Sequence, residues 1–251
     1  MTFVLLCPRR GEEVLAAEYQ DFLRFAQLSE HELEQRALDT PEATLGDMTG
    51  VTGVFIGGSP FTITDPYDEH WQDAISRKLV DFITSQVEAG EEGIPIFAAC
   101  YGTAMVAHYL GGKVNASYSE TPGVSTAFLT DAGRRDPLTS RITSPFRVMT
   151  GHKDSVVELP PNATLLATSP QCPTQMYRLG DTMWASQFHP EMDGDAITRR
   201  LSFYEEDGYV DPQKLAATYA AFKGHDTSVS NSLLKHFADF CRERAAARAS
   251  R

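Results

Sequence analysis

The sequence has no long hydrophobic run and no excess of positive charge. Its apolar stretches fall short of the ~18 residues that mark a membrane-spanning helix. The 251-residue chain carries 34 acidic against 22 basic side chains, a net charge of −12. That charge argues against general binding to nucleic acid or to anionic membranes. The apolar run at 2–7 precedes its basic residues, so it is typical of a buried strand rather than of a signal peptide.

Cysteine is also scarce. The four cysteines, Cys7, Cys100, Cys172 and Cys241, form no CxxC pair and no metal-ligand spacing. A chain of this length does not depend on a disulfide framework. The sequence therefore predicts thiols in a reducing, cytoplasmic setting, with no metal and no cofactor.

What is present is an alternation of short apolar runs with helical periodicity. Strands are expected at 2–7, 36–39, 51–56, 94–99, 164–167, 176–179 and 183–188. Helices are expected at 11–28, 72–89, 101–110, 195–204, 212–222 and 228–248. This order predicts an α/β fold, a doubly wound and mostly parallel sheet with helices on both faces.

One domain is expected over 1–251, with 195–251 as its helical C-terminal extension. The apolar faces of the last three helices leave three roles open. They could complete the domain, cover the active-site edge, or form a homodimer or partner interface. Completion is favoured, because helices that flank an α/β sheet need no partner.

Cys100 has the sequence context of a nucleophile. An apolar strand at 94–99 leads into it, and a small-residue helix leaves it. A strand, a sharp turn and a helix form a nucleophile elbow, and the helix N-terminus favours a thiolate there. A buried structural cysteine is the alternative, but the small residues Ala98 and Gly102 favour the tight turn.

His189 and Glu191 have the spacing of a general base and its orienting carboxylate. In extended backbone, residues two apart lie on the same side, so Cys100, His189 and Glu191 form a candidate nucleophile–base–orienter triad. A histidine with a surface or core role is the alternative.

A glycine pair, Gly57-Gly58, follows the strand at 51–56. It is either a plain turn or a place where the Gly58 N–H meets a developing oxyanion. The Tyr101 N–H would be the second donor.

Five segments, in this order along the chain, resemble the class I (triad) glutamine amidotransferase family. They are Gly-Gly-Ser-Pro at 57–60, Ala-Ala-Cys-Tyr-Gly at 98–102, Leu-Gly-Gly-Lys-Val at 110–114, Gly-His-Lys-Asp-Ser-Val at 151–156 and Gln-Phe-His-Pro-Glu at 187–191. The resemblance covers roughly residues 50–192. The stretch from Gly57 through Asp65 to Trp71 is most similar to stand-alone members akin to the amidotransferase domain of GMP synthase.

The resemblance implies a flavodoxin-like fold and a cysteine amidase. Cys100 would attack the side-chain amide of glutamine and form a γ-glutamyl thioester, which water hydrolyses to glutamate. The ammonia could pass to a separate synthetase or other acceptor protein. His152 would either shape the substrate pocket or serve as a buried structural histidine.

Three positions depart from the family pattern. Ala98 replaces a glycine of the elbow, Ala104 replaces a glutamine that helps hold the substrate, and Lys153 replaces a glycine. The last two lie where glutamine would be recognised. A γ-glutamyl hydrolase acting on another γ-glutamyl compound, and a non-catalytic regulatory module, therefore stay open beside the glutaminase.

Overall fold

The computed structural model describes residues 1–64, 71–204 and 212–250. Asp65, part of the resembling stretch, lies outside these residues. The strands are β1 (Thr2–Cys7), β2 (Leu33–Ala37), β3 (Val51–Ile56), β4 (Ile96–Ala99), β5 (Lys113–Asn115), β6 (Glu120–Leu129), β7 (Phe146–His152), β8 (Ser155–Glu158), β9 (Ala163–Thr168), β10 (Met176–Leu179) and β11 (Met183–Ser186). The helices are α1 (Glu12–Ala26), α2 (Trp71–Glu88), α3 (Tyr101–Tyr109), α4 (Gly194–Ser202), α5 (Leu215–Phe222) and α6 (Ser228–Ala249).

In the described residues a nine-stranded sheet runs in the order β2-β1-β3-β4-β11-β10-β9-β6-β7. The five strands from β2 to β11 are parallel, and the pairings beyond β11 are antiparallel. The α/β class is thus confirmed, with the expected parallel strands forming the half that holds Cys100. Close-spaced strands such as β10 and β11 pair antiparallel because a short turn joins them.

Helices cover both faces of the parallel half, as a doubly wound sheet requires. Along β1, Phe3 and Leu5 face the core that contains α1 and α6, while Val4 and Leu6 face the core that contains α2 and α3. A strand buried on both faces has to be apolar at every position. This explains why β1 reads as one continuous hydrophobic run.

The second strand is displaced from its expected position. The sequence favoured 36–39, but β2 spans Leu33–Ala37 and pairs only with β1 among the described strands. As an edge strand it keeps Glu34 and Arg36 paired with each other at its surface. Such a polar strand has no hydrophobic run to mark its limits.

The C-terminal helices pack in two places. Helix α6 covers the sheet, where the Phe237 ring contacts Phe55 at 5.1 Å and Trp184 at 6.2 Å between centroids. Residues of α4 and α5 form a smaller cluster with Met149 and Met192. Helix α6 therefore covers part of the sheet, and α4 and α5 lie near the edge that carries His189. None of the helices described has the length and apolar character to cross a membrane.

Candidate active site

The carboxyl ends of the parallel strands bring the predicted residues to one edge. Gly58 follows β3, Cys100 follows β4, and His189 follows β11. A Cβ placed on Gly58 would lie 3.1 Å from His189 Cε1 and 3.8 Å from Cys100 Cβ. The three segments that the sequence placed at this edge are therefore in contact, at the position where open α/β sheets bind ligands.

Cys100 occupies the elbow between β4 and α3. Its φ of 48° and ψ of −92° are unusual for a residue with a side chain, and such strain is typical of functional turns. Its N–H donates to the Ser186 carbonyl at 2.7 Å, which ties the turn to β11. A Cβ on Gly102 would stand 2.6 Å from Ala98 Cβ, so small residues are needed on both sides of the turn.

His189 connects the thiol to a buried carboxylate. Its Nδ1 lies 2.7 Å from Glu191 Oε1, and its Cε1 lies beside Gly58, against which the Cys100 Cβ also packs. Burial of the imidazole opposes its positive charge, but its interactions with Glu191 above all, and with Cys100, outweigh burial and raise the pKa of His189 to about 10. Burial works against the charge of Glu191 too, yet His189 beside it lowers the pKa of that carboxyl. The imidazole is therefore oriented by Glu191 and electrostatically suited to hold a proton.

A residue of α6 fixes the main chain around Glu191. Asn231 Nδ2 donates to the carbonyls of Pro190 and Met192, at 2.8 and 2.9 Å, and its Oδ1 accepts from the Thr227 hydroxyl at 2.8 Å. Sequence reasoning missed Asn231. Its spacing from the His-Pro-Glu segment gives no local signal, because the contact depends on how α6 docks.

The expected oxyanion donors flank the thiol. Tyr101 is the first residue of α3, so its N–H lies at the helix N-terminus, and Gly58 lies against the Cys100 and His189 side chains. Arg9, which sequence reasoning also missed, donates to the Gly58 carbonyl. Its position just after β1 was an available signal, since β1 ends at the same edge of the sheet.

A pocket opens over the Cys100 thiol. Apolar side chains form much of its wall: Phe61, Pro122, Met192, Ile197, Leu201 and Ala104. Lys153, Arg200 and Asp154 add charged groups. Gln187, 1% exposed, also lines it and places its Nε2 3.9 Å from Cys100 Sγ. The pocket therefore combines a largely apolar wall with a few polar and charged side chains around the thiol.

His152 lies in this pocket wall, but protein groups occupy both of its ring nitrogens. Its Nδ1 is 2.7 Å from the Asp154 carbonyl and its Nε2 is 3.0 Å from Glu120 Oε2. His152 is therefore a buried, hydrogen-bonded histidine of the pocket wall, and its role in substrate binding stays a prediction.

Glu120, His152 and Cys172 are the group that best resembles a metal site within the described residues. Their ligand atoms lie within 4.8 Å of one another. Burial raises the pKa of the Cys172 thiol to about 12, and its Sγ donates to the Thr174 carbonyl at 3.5 Å. A metal would need the thiolate, so the hydrogen bonds account for this cluster better than a cation does. The expectation of no metal stays a prediction.

Fold and site define an α/β protein with a cysteine at a strand-to-helix turn beside a histidine–glutamate pair. Residues 24–204 match the model of the family described as glutamine amidotransferase class-I. The chain therefore belongs to the class I glutamine amidotransferase family.

Individual relatives agree with this assignment. The chain is 34% identical over 147 residues to the glutamine-hydrolysing GMP synthase of Christiangramia forsetii, a match that covers 58% of this chain and 26% of the relative. The chain thus spans about a quarter of the length of the curated relatives it matches.

Solved structures show the same fold. A glutamine amidotransferase from Thermotoga maritima superimposes with a TM-score of 0.70 at 22% identity, over 96% of this chain and 98% of that one. A putative GMP synthase subunit from Thermoplasma acidophilum gives a TM-score of 0.65 at 17% identity, over 99% and 98% of the two chains.

Proposed function

We propose that the protein hydrolyses the side-chain amide of glutamine to glutamate and ammonia, through a γ-glutamyl thioester on Cys100. One observation carries the proposal. Cys100, at a strained elbow, meets His189 beside Gly58, and His189 Nδ1 lies 2.7 Å from Glu191 Oε1. A thiol, a base and an orienting carboxylate in this order are the parts that acyl transfer needs.

In the first half of the reaction, the thiol proton resides on His189, whose raised pKa favours the imidazolium, and the Cys100 sulfur attacks the amide carbon. The amide oxygen becomes an oxyanion, which the N–H groups of Gly58 and Tyr101 stabilise. As the C–N bond breaks, His189 returns the proton to the departing nitrogen, and ammonia leaves. Glu191 holds the imidazole in place and stabilises its charged form throughout.

In the second half, a water molecule attacks the thioester carbon. His189 accepts a proton from that water, and the same two N–H groups bind the new oxyanion. As the C–S bond breaks, His189 passes that proton to the Cys100 sulfur. The products are glutamate and the regenerated Cys100 thiol. The apolar walls of the pocket limit competing water, which strengthens each of these electrostatic contacts.

The released ammonia is proposed to serve a synthetase on another polypeptide. Support comes from the names of two similar proteins, a glutamine-hydrolysing GMP synthase and a putative GMP synthase subunit. The four cysteines are all free thiols in the structure. This agrees with the proposed cytoplasmic setting.

The second candidate is hydrolysis of a γ-glutamyl amide other than free glutamine. It is favoured by the pocket wall, where Ala104 is only 2% exposed and offers no polar group to a glutamine, and where Phe61 and Ile197 present apolar surface. A γ-glutamyl group joined to an apolar amine would fill this space. Both candidates use the same thioester chemistry.

The test measures ammonia and glutamate released from L-glutamine, and amine released from a γ-glutamyl anilide, by the wild type and by Cys100→Ala. Release of equal amounts of ammonia and glutamate that is lost in Cys100→Ala would support the glutaminase. Turnover of the anilide alone would support the second candidate. If neither substrate is cleaved, the protein is a non-catalytic module and both proposals fail.

A further inference from the structure

A buried arginine beside the Gly57–Gly58 turn lines the pocket but takes part in none of the reaction steps described so far. Arg9 lies just beyond the end of β1 and is only 3% exposed. Its Nε and Nη2 atoms both donate to the Gly58 carbonyl oxygen, at 3.1 and 2.6 Å. A guanidinium presents these donors in one rigid plane. These two donors, Nε and Nη2, are called the Arg9 fork, and the fork holds the Gly58 carbonyl in a defined direction.

The turn is anchored on both sides of the Gly57–Gly58 peptide. On one side the Gly57 N–H donates to the Leu6 carbonyl at 2.9 Å, and on the other side Arg9 holds the Gly58 carbonyl. Glycine restricts φ and ψ very little, so a Gly-Gly turn without these anchors is free to rotate. The Gly58 N–H belongs to the peptide that lies between the two anchors.

Arg9 is itself held in place by buried charged groups. Glu18 Oε1 lies 3.0 Å from Arg9 Nη2 and 3.2 Å from Arg200 Nη1, and Arg9 Nη1 donates to the Tyr204 hydroxyl at 3.0 Å. The Glu18 carboxylate packs so closely that a Cβ on Gly57 would stand 2.7 Å from it. Buried charges are weak contributors to net stability. Their convergence behind a catalytic turn points instead to a role in positioning.

We propose that Arg9 is a positioning residue for the oxyanion site. Its fork onto the Gly58 carbonyl sets the direction of the Gly58 N–H, and Glu18 and Arg200 keep the fork in place. The inference deepens the proposed function and rests on it, because it identifies the group that preorganises one of the two oxyanion donors.

The kinetic test compares two reactions of Cys100 in Arg9→Gln, Arg9→Lys and the wild type. Amide hydrolysis needs the oxyanion site, whereas alkylation of the thiol by iodoacetamide displaces iodide and forms no oxyanion. Arg9→Gln is expected to lower kcat roughly 100-fold, as expected for a misplaced catalytic group, with KM and the alkylation rate unchanged. Arg9→Lys keeps the charge and should recover part of kcat.

A matched control separates this effect from the charges around it. Arg199 pairs with Asp21, the second carboxylate that Arg200 contacts. Among the described residues no hydrogen bond or ion pair joins Arg199 to Arg9, Glu18 or Gly58, so Arg199→Gln should leave kcat unchanged. An unchanged kcat in Arg9→Gln would overturn the inference. A parallel loss of kcat and alkylation would also overturn it, because the effect would then lie at the thiol or in folding.

A second readout does not depend on turnover. In protein labelled with ¹⁵N-glycine, the Gly58 N–H should give one sharp signal that broadens or splits in Arg9→Gln, while the signal of Gly53 in β3 stays unchanged. If the wild type cleaves no γ-glutamyl amide, the proposed function fails, and this spectrum still decides whether Arg9 fixes the turn. An unaltered Gly58 signal in Arg9→Gln would contradict the inference.

Discussion

His189 Nδ1 and Glu191 Oε1 lie 2.7 Å apart in a site where Glu191 is fully buried. His189 and Glu191 are two positions apart in the sequence, after β11. The Cys100 thiol that they face comes from the end of a different strand, β4. Because the carboxylate is shielded from water, its charge acts on the imidazole with little screening. This relationship governs the proton affinity of the proposed base.

Replacing Glu191 with glutamine should lower the pKa of His189. In the wild type that pKa is raised to about 10, with burial as the opposing effect. Without the carboxylate charge, the interaction with Cys100 remains to oppose burial, so the His189 pKa should fall well below about 10. Titration of the His189 ring signals by NMR measures both values, and an unshifted pKa in Glu191→Gln would contradict the account.

The same substitution should lower kcat by roughly 100- to 10,000-fold, the range seen when an acid–base group or its orienting partner is lost. A glutamine preserves the shape of the side chain but removes its charge. Glu158→Gln, an exposed change on β8, is the matched control and should leave kcat unaltered. Equal kcat values in Glu191→Gln and the wild type would rule out the orienting role.

The ion pair also predicts a pH dependence of stability. The pKa of His189 is higher in the folded protein than in the unfolded chain, so its protonation stabilises the fold. This contribution is fully present below the unfolded pKa, near 6.5, and is lost as the pH rises through about 10. The lowered pKa of Glu191 adds stability above its ordinary value of 4.5. The Tm of the wild type should therefore exceed that of Glu191→Gln most between these two ordinary values. The Tm difference between the two proteins should shrink toward pH 10. Thermal unfolding measured across this pH range tests the prediction, and a Tm difference that does not change with pH would contradict it.

Gly58→Ala should impair catalysis without unfolding the protein. The new Cβ would stand 3.1 Å from His189 Cε1 and 3.3 Å from Arg9 Nη2, so the imidazole or the fork has to move. We expect kcat to fall by roughly 100-fold. Gly123→Ala, whose Cβ would meet its first neighbour only at 3.4 Å, is the control. A Gly58→Ala variant with wild-type kcat would show that this close approach is not needed.

Asn231→Leu should destabilise the segment that holds His189 and Glu191. The change leaves the buried carbonyls of Pro190 and Met192 without donors, at a cost of about 1–3 kcal/mol. Urea unfolding measures this loss. Ser232→Ala on the same helix removes only a local hydrogen bond to the Val229 carbonyl and should cost less. Equal losses in the two variants would contradict the anchoring role of Asn231.

Much of the parallel half could be predicted from sequence, because β1, β3 and β4 consist mainly of buried apolar residues, whereas the polar edge strand β2 was misplaced. The limits of β1 and β3 coincide with the expected runs at 2–7 and 51–56. The elbow at Cys100 was equally visible, since steric crowding forces small residues around a tight turn. The order of the antiparallel strands from β10 to β7 was not visible, because it depends on pairings between distant segments.

The residues that sequence reasoning missed share a physical cause. Arg9 and Tyr204 contact each other across 195 positions of the chain, and Asn231 reaches its carbonyls through the docking of α6. Contacts of this kind have no periodicity and no motif. By contrast, His189 and Glu191 could be paired from sequence because extended backbone places alternate side chains on one face.

The central claim is that Cys100 forms a γ-glutamyl thioester with the help of His189. It is tested most directly by mixing the protein with L-glutamine or a γ-glutamyl anilide, quenching rapidly in acid, and measuring the intact mass with peptide mapping. The account predicts an added γ-glutamyl group on the peptide that contains Cys100, formed quickly in the wild type, slowly in His189→Ala and not at all in Cys100→Ala. Turnover with no adduct on Cys100, or an adduct that persists in Cys100→Ala, would contradict it.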